Sequence, residues 1–172
     1  FTINGFNSLM IYDQEWCKPF DKNRSGLNLG EGAGFLLLES EESIKKSGNR
    51  PICHLAGWAN AADAYHQTAS SPDGKGATLA MKNALAIAGL SPKEIDYINV
   101  HGTGTQNNDL SESVAILNVF EDGIPKFSST KAYTGHTLAA AGAIEAVFSV
   151  LAISNNCVFP NLNFRESIEE TG

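Results

Sequence analysis

Short apolar runs bounded by glycine alternate along this chain with segments of helical period. Ala33 to Glu39 (AGFLLLE) is a continuous apolar run and predicts a buried strand. Ser40 to Lys46 predicts a short polar helix, with Ser40 as N-cap and Gly48 as stop. Pro51 to Asn60 predicts a second strand, and Ala61 to Lys75 a loop rich in Ser, Pro, Asp and Gly. From Gly76 to Ala88 the pattern turns helical, with Ala77, Met81, Ala84, Leu85 and Ala88 on one face and Gly89 ending the segment. Ser91-Pro92 opens a turn of helix. Ile95 to Val100 predicts a strand, Asp109 to Phe120 a helix, Lys126 to Ser128 a short strand, and Gly135 to Ser154 a long helix. Such alternation predicts an α/β sheet covered on both faces, with ligands beyond the carboxyl ends of its strands.

The stretch Thr137 to Ile153 is apolar nearly all round. It falls short of the about 20 residues that span a bilayer, is rich in Ala and Gly, and carries Glu145 at its middle. A buried core helix is expected, not a membrane span.

Composition narrows the classes. With 172 residues and 42% hydrophobic content, the chain can bury a core. Twelve basic residues against nineteen acidic give a net charge of −7, which argues against nucleic-acid binding. Cys17, Cys53 and Cys157 are too scattered for a disulfide framework or a zinc site, and a reducing, cytoplasmic setting is expected. The chain starts without Met and ends on a polar stretch, which suggests a piece of a longer protein.

Two motifs concentrate chemistry. HGTGT, His101 to Thr105, follows the strand ending at Val100. Gly102 and Gly104 remove side chains there, so a ligand could approach the backbone, and Thr103 and Thr105 offer hydroxyls. Spacing alone weighs a functional His101 evenly against a core-edge histidine. STKAYTGH, Ser129 to His136, is the second motif. A histidine where the long helix begins would feel the positive end of the macrodipole, stay neutral, and donate to an oxyanion. The alternative is a histidine packed on a loop, which the nearby Lys131 makes less attractive. GEGAG, Gly30 to Gly34, precedes a strand rather than a helix, so it predicts close backbone packing instead of a phosphate loop.

Three acids have open roles. Asp109 and Glu112 stand three apart and form either a reciprocal helix cap or a holder for Lys131. Glu145 needs a partner or a proton if buried; Asn99 could share a cation or hydrogen bonds with it, unless Glu145 lies on an exposed stripe. His54 is expected to be structural and His66 to sit at a cleft rim.

Together the segments WCKPFDKNRSGLNLGEGAGFLLLE (Trp16 to Glu39), Asp63 to Asp73, IDYINVHGTGTQNND and SSTKAYTGHTLAAAGAIEA resemble the β-ketoacyl-acyl carrier protein synthase family, most closely the elongating bacterial type II enzymes. The resemblance implies a thiolase-like fold of two stacked α/β halves, usually dimerised. Residues 1–60 would join the halves, and 61–172 would be a truncated C-terminal half.

It implies a decarboxylative Claisen condensation on malonyl-acyl carrier protein, with no cofactor required beyond the carrier's phosphopantetheine. By motif, His101 and His136 would assist decarboxylation and polarise the thioester carbonyl. Lys131 would tune the pair, held by Glu112 and Asp109. Thr103 and Thr105 would bind the phosphopantetheine arm, with Thr68 a weaker candidate. Asn99 and Glu145 match positions that flank a structural monovalent cation in some members. Two features depart from the pattern. The family's nucleophilic cysteine lies in a turn for which this chain has no counterpart, Cys17 matching a structural position, and the glycine- and phenylalanine-rich gating loop is missing. A non-catalytic chain-length partner and a polyketide synthase domain are the rival readings.

Overall fold

A computed structural model describes residues 2–169. Helix α1 (Thr2–Ser8) leads into a long irregular segment, interrupted by α2 (Glu41–Ser47). Helix α3 (Lys75–Ala88), a 3-10 turn (Pro92–Glu94), strand β1 (Tyr97–Asn99), helix α4 (Gln106–Phe120) and strand β2 (Lys126–Ser128) follow. Helix α5 (Lys131–Thr134), a second 3-10 turn (Leu138–Ala140) and helix α6 (Ala141–Asn155) complete the regular elements.

Local signals placed several of these elements. Ser40 caps α2 by accepting the N–H of Ser43 through its hydroxyl, and Gly48 closes the helix in the left-handed conformation. Ser91 and Glu94 form a reciprocal capping box on the 3-10 turn, where Pro92 supplies a helical φ. Strands β1 and β2 pair in parallel, Tyr97 with Lys126 and Asn99 with Ser128. Their crossover is α4, which packs against α3. The core lies between these elements: Phe20, Val100, Ile116, Val119, Phe120 and Ile168 are buried, with Met81, Leu85, Ile95, Ile98 and Leu110 packed around them. Met81, Ala84, Leu85 and Ala88 form the inward face of α3, whereas Ala77 is exposed.

Two expected strands do not form. Neither Ala33–Glu39 nor Pro51–Asn60 pairs into a ladder among the described residues. Phe35 is 90% exposed, Leu37 85% and Trp58 67%. A strand is defined by a neighbour that takes its N–H and C=O groups, and an apolar sequence cannot supply that neighbour.

The long helix also starts later than expected. Gly135 breaks the chain after α5 at φ 70°, ψ 176°, and His136 then runs extended in a parallel bridge with Leu29. Its N–H reaches the carbonyl of Asn28 at 2.7 Å. Helix α6 begins only at Ala141. Leu138–Asn155 is long and apolar enough by composition to cross a membrane, but Asn99 and Lys131 both reach Glu145 in its middle. Most of its residues are half-buried, and only Ala141 and Ala152 are fully enclosed.

The GEGAG expectation is met. A Cβ on Gly30 would fall 1.8 Å from the carbonyl oxygen of Thr134, so the backbone of this segment lies directly on the turn before His136.

Candidate active site

The carboxyl ends of β1 and β2 bring HGTGT and STKAYTGH together. Ser129, fully buried, stitches them: its hydroxyl donates to the carbonyl of Gly102 at 2.7 Å and accepts the N–H of Lys131 at 3.2 Å. The glycines of HGTGT are required here by protein rather than by a ligand. Gly102 and Gly104 have φ of 39° and 79°, and a Cβ on them would lie 2.6 Å from Ser129 Cβ and 2.5 Å from the Gly26 carbonyl oxygen.

The two imidazoles meet edge to face, with ring centroids 5.2 Å apart and planes at 86°. Lys131 is 3% exposed. Its ammonium donates to the His101 carbonyl at 2.5 Å, lies 3.2 Å from His101 Nδ1, and pairs with the Glu145 carboxylate. An ammonium has only protons to give, so Nδ1 of His101 is the acceptor and its proton sits on Nε2. In the same way the N–H of Leu138 donates to Nδ1 of His136 at 3.1 Å, which places that ring's proton on Nε2. The pair therefore offers two Nε2–H donors.

Both rings stay neutral. Although His101 opens on a cavity, desolvation, the Lys131 ammonium and His136 push its imidazole down to about 3. Desolvation and Lys131 hold His136 below the usual histidine range. The expected direction is present, caused by desolvation and Lys131; α6 itself starts only at Ala141, and the helical N–H that reaches His136 belongs to Leu138, in the 3-10 turn leading into it.

Asp109 and Glu112 support the loop backbone. Helix α4 starts at Gln106 with Thr105 as N-cap, so Asp109 is not the cap. Its carboxylate, 0% exposed, accepts the N–H groups of Phe20 at 2.8 Å and Gly104 at 3.2 Å. Glu112 accepts the N–H groups of His101 and Gly102 at 2.7 and 2.8 Å. Burial pushes Glu112 up to about 7, against those two bonds, and raises Asp109 as well. Neither acid hydrogen-bonds Lys131, although its charge acts on Glu112; the bonded partner is Glu145. The family resemblance implied Glu112 as the holder, whereas the contact to Glu145 depends on how α6 packs on β1.

Glu145 is accordingly not on an exposed stripe, its side chain being 17% exposed. Asn99 touches it only through backbone, its amide nitrogen 3.4 Å from the Glu145 carbonyl. The Asn99 Oδ1 is buried and has no partner, as fits a cation ligand, while the bonded carboxylate oxygen of Glu145 is already neutralised by Lys131.

A cavity of about 610 Å³ opens over the two rings. Phe6, Leu9, Met10 and Leu27 give it an apolar side; Thr68, Thr103, Thr105 and Gln106 a polar one. The hydroxyls of Thr103 and Thr105 lie 2.8 Å apart. Thr68 and His66 are exposed at the rim, and His54 is exposed rather than packed. The apolar contributors from residues 6–11 were not anticipated, since they carry no reactive group and reach the site only through the chain's path. None of the three cysteines lines this cavity. Cys17 is buried with its thiol 3.6 Å from the Lys131 carbonyl, and burial pushes its pKa up, which makes it a structural thiol.

Two imidazoles with outward Nε2–H donors stand at the carboxyl edge of a parallel strand pair, with a buried ammonium beside them, in an α/β arrangement of the thiolase-like kind. Comparison with known proteins gives the family. Residues 52–165 match the model of the β-ketoacyl synthase C-terminal domain. This chain belongs to the β-ketoacyl synthase family. It is 44% identical over 149 residues to 3-oxoacyl-[acyl-carrier-protein] synthase 2 of Staphylococcus aureus (strain COL), covering 86% of this chain and 36% of that protein. It is 46% identical over 156 residues to the mitochondrial 3-oxoacyl-[acyl-carrier-protein] synthase of Arabidopsis thaliana, covering 88% and 34%. The chain thus spans about a third of the length of these relatives.

Among solved structures, the ishigamide ketosynthase/chain length factor superposes with a TM-score of 0.93 at 38% identity, over 99% of this chain and 42% of that one. A ketosynthase of a type II polyketide system, solved with its acyl-carrier protein, gives 0.92 at 37% identity, over 99% and 44%. The thiolase-like fold expected from the motifs is the one these neighbours share.

Proposed function

We propose that this chain is the C-terminal catalytic half of a β-ketoacyl-acyl carrier protein synthase that elongates fatty acyl chains. The observation that carries the reading is the pair of Nε2–H donors on His101 and His136, both neutral, beside one cavity. Decarboxylation of a malonyl thioester breaks the bond between the carboxylate and the α-carbon. Its electron pair delocalises onto the thioester oxygen, where two neutral N–H donors stabilise the developing enolate. The α-carbon then attacks an acyl thioester, a C–C bond forms, and a thiolate leaves.

That thiolate would be a cysteine outside these 172 residues, since Cys17 is buried away from the cavity and neither Cys53 nor Cys157 lines it. Thr103, Thr105 and Thr68 would bind the phosphopantetheine arm of the acyl carrier protein. Asn99 would lend its unpaired amide oxygen to a monovalent cation. Residues 1–60 would join the two thiolase-like halves of a cytoplasmic homodimer.

A polyketide ketosynthase is the second reading, favoured by the polyketide neighbours at 37 and 38% identity. The presence of both histidines and Lys131 supports an active enzyme over a non-catalytic partner. In the full-length polypeptide, His136→Ala lowers malonyl decarboxylation by about 10²-fold, as loss of one oxyanion donor does. Unchanged decarboxylation removes His136 from the mechanism. The 172-residue chain alone does not condense; measured turnover would refute the missing nucleophile.

A further inference from the structure

We infer that Arg24 is a positioning residue that sets the spacing between two walls of the cavity where the thioester's arm would lie. The inference rests on the proposed carrier-borne substrate. Arg24 is 5% exposed. Its guanidinium hydrogen-bonds three backbone carbonyls: Asp21 at 3.1 Å, Gln106 at 2.9 Å and Thr105 at 3.4 Å. Its own carbonyl accepts the side-chain amide of Gln106 at 2.5 Å. A closed ring of bonds thus joins the 21–24 turn to the start of α4.

Arg24, Thr105 and Gln106, unlike Asp21, adjoin or line the cavity. Ser25, Gly26 and Leu27 follow Arg24 on one wall; Thr103, Thr105 and Gln106 form the other. The walls touch at Gly104, against the Gly26 carbonyl. None of His101, Lys131 or His136 hydrogen-bonds the guanidinium, so its influence falls on the arm wall and not on the histidine pair.

The electrostatics point the same way. A cation at a helix N-terminus opposes the macrodipole. Asp109, with its carboxylate 3.9 Å from Nε, offsets this. A guanidinium there is poorly explained by helix stability. It is well explained by geometry, because a planar fork fixes several carbonyls at set angles and an ammonium does not.

The test titrates pantetheine, the arm without carrier or acyl group, into the 172-residue chain and follows the imidazole ¹⁵N signals by NMR. Arg24→Gln weakens binding about tenfold, the loss expected from one or two hydrogen bonds, and leaves the His101 and His136 signals in place. Arg24→Lys recovers part of the affinity. Equal binding by Arg24→Gln overturns the inference, as do displaced imidazole signals, which would mean general loosening. If Arg24→Gln unfolds because Asp109 is left unpaired, Arg24→Gln/Asp109→Asn removes both charges. The same tenfold loss is then expected, and wild-type affinity overturns the inference. A wild-type chain that binds no pantetheine sinks the functional reading itself, and this inference with it.

Discussion

The backbone N–H of Leu138 donates to Nδ1 of His136 at 3.1 Å, and Leu138 holds a left-handed conformation, φ 56°, to do so. A β-carbon in that region is disfavoured by about 1–2 kcal/mol. The strain sits beside the donor that decides which ring nitrogen of His136 carries the proton. Leu138→Gly keeps this conformation without strain and keeps Nδ1 as acceptor. Leu138→Pro removes the N–H and forbids the angle, and the ring becomes a mixture of tautomers. Imidazole ¹⁵N shifts distinguish these outcomes; an unchanged tautomer in Leu138→Pro refutes the assignment.

Lys131 and Glu145 form a buried pair, and removing one partner leaves an uncompensated charge. Lys131→Met should destabilise the chain by about 3–5 kcal/mol. Lys131→Met/Glu145→Leu should recover most of that loss, because neither charge then remains. Denaturant unfolding of the two singles and the double checks this, and additive losses would contradict direct coupling.

Stability should respond to pH with two opposed slopes. His101 has a folded value of about 3 against an ordinary 6.5. Between those values the unfolded chain binds more protons, so this group's contribution is lost as pH falls from 6.5 towards 3. Glu112 has a folded value of about 7 against 4.5. Between 4.5 and 7 the folded chain binds more protons, so its contribution is lost as pH rises. The two slopes oppose each other between 4.5 and 6.5. Glu112→Gln should therefore steepen the acid loss in that window, as read by unfolding free energy against pH. An unaltered slope would contradict the raised value of Glu112.

Gly104 and Gly48 separate two costs of adding a side chain. Both have positive φ, 79° and 73°, but only Gly104 has a neighbour within 4 Å of an added Cβ. Gly48→Ala should cost only the backbone conformation, about 1–2 kcal/mol. Gly104→Ala should cost more, since the Gly26 carbonyl must move. Equal losses in thermal unfolding would show that the 24–26 segment yields easily.

Much of the site was legible in the sequence. HGTGT and STKAYTGH carry their chemistry in residue identity and order, and the strand preceding each places them on one sheet edge. The caps at Ser40, Gly48, Ser91 and Glu94 are local as well, decided within four residues by hydrogen bonds that short sequences specify. Other features were illegible for definite reasons. The helix was expected from Asp109, since Asn and the preceding glycines are poor helix formers, yet α4 begins at Gln106. The partner of Lys131 was expected to be Glu112, but the contact to Glu145 depends on how α6 packs, which sequence spacing does not report.

Sequence alone determined the elements whose signals are local, the family's motifs, and the residue types that do the chemistry. Tertiary structure decided which groups meet. It put Glu145 instead of Glu112 on Lys131, detached His136 from the helix expected to start with it, and turned Asp109 from a cap into a backbone clamp. The physical reason is range. Caps and turns close over a few residues, while a buried ion pair or a ring tautomer depends on how distant elements pack, which no local pattern encodes.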